Sequence, residues 1–147
     1  ADLLADPDVM RYVGLVAGEV LDREEAEKLV AGATDAWPKN GYGRWSVFER
    51  DSDEFVGFTG FRREGDLPEL ICLLRPKFWG RGFATEASNA CLNHGFSKLG
   101  FIEVRSYCRP SNDKARKLLE RLGGEFTGLI DFHGVEGSAY RFIPKTL

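Results

Sequence analysis

The sequence predicts an α/β fold built on one mixed, twisted sheet flanked by helices, and three observations predict it. An apolar strand-like run at residues 70–74 precedes a helix-like stretch at 83–99 and a second strand-like run at 102–108. That order is a parallel crossover unit. Aromatic and β-branched runs at 45–50 and 55–61 are separated by Asp51-Ser-Asp-Glu and read as a hairpin. Runs at 126–132 and 138–143 flank His133-Gly134 and read as a second antiparallel pair, which makes the sheet mixed.

Each element has its own signal. Asp6-Pro7 opens a helix, with Asp as cap and Pro in the first turn. Asp22-Arg-Glu-Glu25 resembles a capping box and starts a second helix expected to run to about residue 33, with Trp37-Pro38 as its breaker. Gly65-Asp-Leu-Pro68 is read as a turn before the 70–74 strand, and Pro76 ends that strand. Between 83 and 99, Ala84, Ala87, Cys91, Leu92, Phe96 and Leu99 make an apolar helical face, followed by Gly100 as C-cap. Ser111-Asn112-Asp113 begins a last helix carrying Ala115, Leu118, Leu119 and Leu122, and Gly123-Gly124 stops it.

Composition bounds the function. The 147 residues fit one domain, 1–147, and 43% are hydrophobic, enough for a core without disulfide or metal. A net charge of −3 gives no electrostatic reason to bind nucleic acid or an anionic membrane. The three cysteines, Cys72, Cys91 and Cys108, form no CxxC pair and leave an odd count, which favours a reducing, cytoplasmic location. The two histidines, His94 and His133, fit no ligand pattern, so no metal is assigned. No run has the length of a membrane span. Oligomeric state is not encoded in any readable pattern.

The stretch Arg75-Pro-Lys-Phe-Trp-Gly-Arg-Gly-Phe-Ala-Thr-Glu-Ala87 carries the chemistry. A strand end, a glycine-bearing turn and a helix start place free backbone N–H groups at the positive end of a helix dipole, where phosphates bind. Gly80 and Gly82 lack the Cβ that would hold a phosphate off the backbone. A Walker loop would need Gly-Lys-Ser/Thr, and the dinucleotide fingerprint needs a small residue where Thr85 stands.

Lys77-Phe-Trp-Gly80-Arg-Gly82 resembles the pyrophosphate loop of the GNAT superfamily of N-acetyltransferases, Arg/Gln-x-x-Gly-x-Gly/Ala, with Lys in the first slot. The wording Phe-Trp-Gly-Arg-Gly-Phe-Ala-Thr-Glu-Ala looks like the RimJ/RimL branch of ribosomal-protein N-terminal acetyltransferases. Asp6-Pro-Asp-Val-Met-Arg-Tyr12, Phe55-Val-Gly-Phe-Thr-Gly-Phe61 and Arg109-Pro-Ser-Asn112 resemble further segments of that branch. The resemblance implies acetyl-coenzyme A as cofactor and an amine acceptor, either a protein or peptide N-terminus or a small molecule such as a polyamine. A non-catalytic acyl-coenzyme A-binding module is the reading from another class. Members usually begin with a strand before the first helix, so an N-terminal strand is expected to be missing from this sequence.

The resemblance also assigns roles. Lys77, Trp79, Gly80, Arg81, Gly82, Phe83 and Ala84 would form the cofactor loop. The 70–74 strand would carry a bulge and splay from its neighbour, so that a backbone N–H near Leu74 meets the thioester oxygen. Asn112 would hydrogen-bond the pantetheine amides, although a helix N-cap needs no ligand. Arg116 would reach the phosphates or stay a solvated charge. Glu69, read as standing just before the strand, would orient or deprotonate the amine, or be an ordinary exposed carboxylate at a turn. The hydroxyls that members often carry three and seven positions after the Asn are replaced here by Ala115 and Leu119, so the usual proton donors are absent. Cys72 and Cys108 read as small core residues on adjacent strands. The segments 42–44 and 131–137 are expected at the acceptor cleft.

Overall fold

The computed structural model of the chain describes residues 2–13 and 19–145. The Asp6 carboxylate accepts from the Asp8 N–H at 2.9 Å and opens helix α1 (Pro7–Met10). Helix α2 (Arg23–Asn40) starts on a reciprocal capping box. The Glu25 N–H donates to Asp22 at 2.8 Å, and the Asp22 N–H donates to Glu25 at 2.9 Å. Contrary to the expected break, α2 runs through Pro38. The proline falls in the last turns, where it removes one helical bond near an end that was about to stop. Gly41, at φ 77°, then closes the helix by donating its N–H to the Trp37 carbonyl at 2.8 Å. Trp37 packs edge-on against Trp45 with centroids 4.9 Å apart, which ties that final turn to the sheet.

Strands β1 (Arg44–Phe48), β2 (Phe55–Glu64) and β3 (Leu67–Leu74) form an antiparallel meander. Helix α3 (Phe83–Ser97) crosses over to β4 (Val104–Cys108), which lies parallel to β3. Helix α4 (Asp113–Arg121) follows, then the hairpin β5 (Glu125–Phe132) and β6 (Val135–Phe142). The six-stranded order is β1-β2-β3-β4-β6-β5, so the expected mixed sheet with one parallel crossover is present.

Three boundaries moved for physical reasons. Pro68 sits inside β3, not in a turn, and pairs with Arg63. Its missing N–H falls on the side away from β2, so no bond of that ladder is lost. Glu69 therefore lies within a strand. Ile102, 81% exposed, lies outside β4. The β5–β6 turn is only His133-Gly134, with φ 51° and 85°, the backbone of a two-residue turn that needs positive φ at both positions. The expected bulge in β3 is absent. Its register with β2 runs unbroken from Gly57↔Leu74 to Glu64↔Leu67, and the irregularities fall instead at Val56 of β2, against β1, and at Thr127 of β5.

Pairing fixes which side chains share a face. Phe61, Leu70, Val104 and Tyr140 face α3 and α4 and meet Cys91, Leu92, Leu119 and Leu122 in the main core. Full burial of one such side chain contributes about 1.5–3 kcal/mol. On the opposite face Phe58 and Leu73 pack against a second cluster from Leu3, Leu4, Val9, Met10 and Ala26. Glu69, Arg62 and Arg44 belong to this second face.

Candidate active site

Strand β3 is hydrogen-bonded fully on one edge and barely on the other. The Arg75 N–H donates to the Val56 carbonyl at 2.8 Å, in register with Gly57↔Leu74. Antiparallel ladders alternate, so the N–H and C=O groups of Glu69, Ile71 and Leu73 face β2. Those of Leu70, Cys72 and Leu74 face β4. Glu69↔Arg105 is the single β3–β4 pair among the described residues. The Leu70 carbonyl is already taken by the Ser106 hydroxyl, at 3.0 Å, instead of by the β4 backbone. Past that point the strands diverge, and the N–H groups of Cys72 and Leu74 point into the opening. The expected splay is there without the expected bulge.

A cavity of about 620 Å³ occupies this opening and is lined from both faces of the sheet. On the α3–α4 side its wall includes Cys72, Ser88, Cys108, Asn112 and Ala115. On the α1–α2 side it includes Arg44, Arg62, Glu69, Tyr107, Phe132 and His133. Tyr107 and Phe132 stack at 4.6 Å, and the His133 ring lies 2.8 Å from the Glu64 carboxylate, which fastens the β5–β6 turn to the end of β2. Of the segments expected at the acceptor cleft, 131–137 lines the cavity through Phe132, His133, Val135, Glu136 and Gly137. The 42–44 segment reaches it through Arg44 alone, since Tyr42 packs against Phe61 and Phe101 in the main core. Tyr107, which the sequence did not single out, joins them.

The glycine loop lies at the end of β3. The Trp79 indole N–H donates to the Leu74 carbonyl at 2.8 Å and anchors the loop to the strand. Gly80 and Gly82 take φ of 70° and 84°, and a Cβ built on either would meet nothing within 4 Å. Gly82 is the N-cap of α3 and supplies no side-chain bond to the helix's first N–H groups. An open cradle over free N–H donors at a helix N-terminus fits a pyrophosphate. Phe83 and Ala84 form the first turn of α3 and pack on Val56, Leu74 and Phe78. The expected cations are spoken for: Lys77 contacts Glu54 at 2.7 and 2.9 Å, Arg81 contacts Glu49 at 3.1 Å, and Arg116 pairs with Asp113. Asn112 does cap α4, accepting from the Ala115 N–H at 3.2 Å, and also lines the cavity.

Glu69 is 2% exposed, not the surface carboxylate of a turn. Burial pushes its carboxyl above the usual carboxylate range, and the Glu64 charge adds to that. The directly opposite Arg62 works the other way, gripping both oxygens at 2.8 and 3.1 Å. The result is a desolvated carboxylate at the floor of a cavity, the setting in which a carboxylate becomes a useful base.

Ala115 and Leu119, at the positions where a hydroxyl was sought, line the cavity and carry none. Burial pushes the Cys108 thiol up to about 11, above the roughly 8.5 of an ordinary thiol. It is a weak nucleophile and a weak acid. Cys72 is raised in the same direction by burial. Among the described residues no cluster of three or more His, Cys, Asp or Glu could hold a metal, and no helix is long and apolar enough to cross a membrane.

Residues 1–125 match the family model described as the acetyltransferase (GNAT) domain. The chain is 27% identical over 137 residues to an uncharacterized N-acetyltransferase, p20, of Bacillus licheniformis, covering 90% of this chain and 76% of that protein. It superposes on the crystal structure of an acetyltransferase from Agrobacterium tumefaciens strain C58 with a TM-score of 0.84 at 26% identity, covering 97% and 82% of the two chains. It shares its fold with RimL, the ribosomal L7/L12 alpha-N-protein acetyltransferase solved with coenzyme A, at a TM-score of 0.79, 18% identity and coverage of 96% and 84%.

Proposed function

The chain belongs to the GNAT family of acetyl-coenzyme A-dependent N-acetyltransferases, and we propose that it acetylates an α-amine, as the RimJ/RimL-like branch does at protein N-termini. The observation that carries this reading is the buried Glu69 beneath a cavity that continues through the sheet to Asn112. Acetyl-coenzyme A supplies the thioester that the amine attacks, with coenzyme A leaving as a thiolate. The Gly80–Gly82 cradle and the α3 N-terminus would hold its pyrophosphate, and Asn112 its pantetheine arm.

Within the opening, two backbone donors compete for the thioester oxygen. Glu69 and Leu74 are five residues apart, about 16 Å along a strand, whereas Cys72 is three away, about 10 Å. Attack needs the amine within about 3–3.5 Å of the carbonyl carbon. The Cys72 N–H therefore suits a carbonyl shared with an amine that Glu69 deprotonates, directly or through one water. The Leu74 N–H would require a longer relay.

One buried carboxylate with no relay hydroxyl suits an amine that is easy to neutralise. At pH 7, deprotonating a lysine side chain costs about 4.6 kcal/mol and an α-amine about 1 kcal/mol. We infer a preference for α-amines, with kcat/KM rising to roughly pH 8. A small-molecule α-amine is the second reading, because a cavity of about 620 Å³ has the size of a small-ligand site. Mass spectrometry of peptide and small-amine pools incubated with protein and acetyl-coenzyme A tests both. A clear preference for lysine side chains would overturn the α-amine reading.

A further inference from the structure

We infer that Arg44 sets acceptor specificity by binding a carboxylate carried on the same molecule as the attacking amine. The inference rests on the acetyl-transfer reading above and concerns the acceptor end of the same cavity.

Among the cations on that end, Arg62 is paired and Arg44 is not, while the exposed Glu136 carboxylate lines the β5–β6 side without an ion pair among the described residues. Arg62 is neutralised by Glu69 through two bonds, and Glu64 sits against His133. Arg44 also lines the cavity, half-buried, yet has no carboxylate within ion-pair distance among the described residues. Its guanidinium instead lies 5.4 Å from the centroid of the Phe58 ring. Burial depresses its pKa and the nearby Arg62 charge adds to the effect, while the Glu69 charge, already held by Arg62, opposes it from a distance. Residues 14–18 contain only Gly, Leu, Val and Ala, so they bring no acid to offset it. A cation held partly out of water without a direct ion pair is costly, and a bound anion lowers that cost.

Position and chemistry narrow the anion. Arg44 pairs with Gly60, which carries no side chain between Phe58 and Arg62 and where a Cβ would collide with the β1 backbone. Arg62, two residues on, holds Glu69. Two strand residues span about 7 Å, and an arginine side chain bridges most of that. An acceptor whose amine meets Glu69 thus extends its next few atoms toward Arg44. A guanidinium matches a carboxylate through two parallel bonds. A dianion would be repelled by Glu69 in the same cavity, and a polyamine would meet Arg44 as a like charge.

Two sources present this chemistry: the α-carboxylate of a free amino acid, and the side-chain carboxylate of an Asp or Glu at a peptide N-terminus. Thiol release with acetyl-coenzyme A should be compared for glutamate against its α-amide, for Glu-initiated against Gln-initiated peptides, and for spermidine. We expect at least a tenfold kcat/KM advantage for the carboxylate partner of one pair, and the pair showing it identifies the source. In Arg44→Gln that ratio should collapse to about one, and in Arg44→Lys it should fall part of the way. A melting curve and coenzyme A binding establish that each variant is folded. Calorimetry with the N-acetylated product should show binding to the parent and at least tenfold weaker binding to Arg44→Gln. Equal turnover of carboxylate and amide in both pairs, or fastest turnover of spermidine, overturns the inference and leaves acetyl transfer standing. No turnover of any amine overturns both.

Discussion

The two edges of β3 differ more than any two neighbouring regions of the molecule. Toward β2 it holds eight consecutive register pairs; toward β4 it holds one. The same residues serve both, by parity. Odd-numbered backbone groups bind the fold together, and even-numbered groups from Cys72 onward face the cavity. A strand can thus be a core element and a binding surface at once, because a pleated backbone divides its hydrogen bonds between two sides.

Proline breaks this comparison most sharply. Ile71→Pro removes an N–H that faces β2 and should abolish cooperative thermal unfolding. Cys72→Pro removes an N–H that faces the opening, as native Pro68 does without harm, and should leave a folded protein. Its kcat/KM should fall about 10²–10³-fold if this group meets the developing oxyanion. Leu74→Pro is the control that separates the two donors, and a larger loss there than at Cys72 would return the role to Leu74.

Glu69→Gln comes next, with an expected loss of about 10²-fold in kcat/KM below pH 8 that shrinks above it. A uniform loss across pH would mean that Glu69 orients the amine without deprotonating it. Stability should move the other way. Burial raises the folded-state pKa of Glu69, so its favourable contribution is complete below about pH 4.3 and is lost as pH rises through the raised value. Denaturant titrations should show the Gln variant gaining on the parent between pH 4 and 8.

What the sequence made legible follows from how local each signal is. Gly80 and Gly82 were readable because positive φ and an open cradle depend only on the residue itself and its turn. The Asp22–Glu25 box was readable because both partners lie within one turn. Glu69 was misplaced because Pro68 looks like a strand breaker, and only the missing ladder on its β4 side makes it harmless. The burial of Glu69 and its grip by Arg62 depend on the β2–β3 register, which the hydrophobic pattern did not specify. Arg44 was placed at the cleft but not as a cation without a direct ion pair, since that depends on every neighbour's pairing. Pro38 was misjudged because its cost depends on how close the helix already is to its end.

The remaining predictions sharpen the loop's role. Gly82→Val forces a side chain into φ 84° and should cost about 1–2 kcal/mol of stability. It should also weaken coenzyme A binding at least tenfold by calorimetry, because the β-carbon enters the open cradle. Unchanged affinity in a folded variant would remove the loop from cofactor binding. Asn112→Ala should cost about 1 kcal/mol as a lost cap and raise the KM for the cofactor. A stability loss with unchanged KM would leave Asn112 as a cap alone.

The alternation along β3 has a kinetic signature in hydrogen exchange. Amides of Ile71 and Leu73, locked to β2, should exchange only on global opening, while those of Cys72 and Leu74 should exchange orders of magnitude faster from the folded state. Neighbouring residues of one strand would then report two different clocks. Adding coenzyme A should slow the fast pair selectively if, as proposed, the pantetheine arm takes the place on that edge that a complete β4 would otherwise occupy.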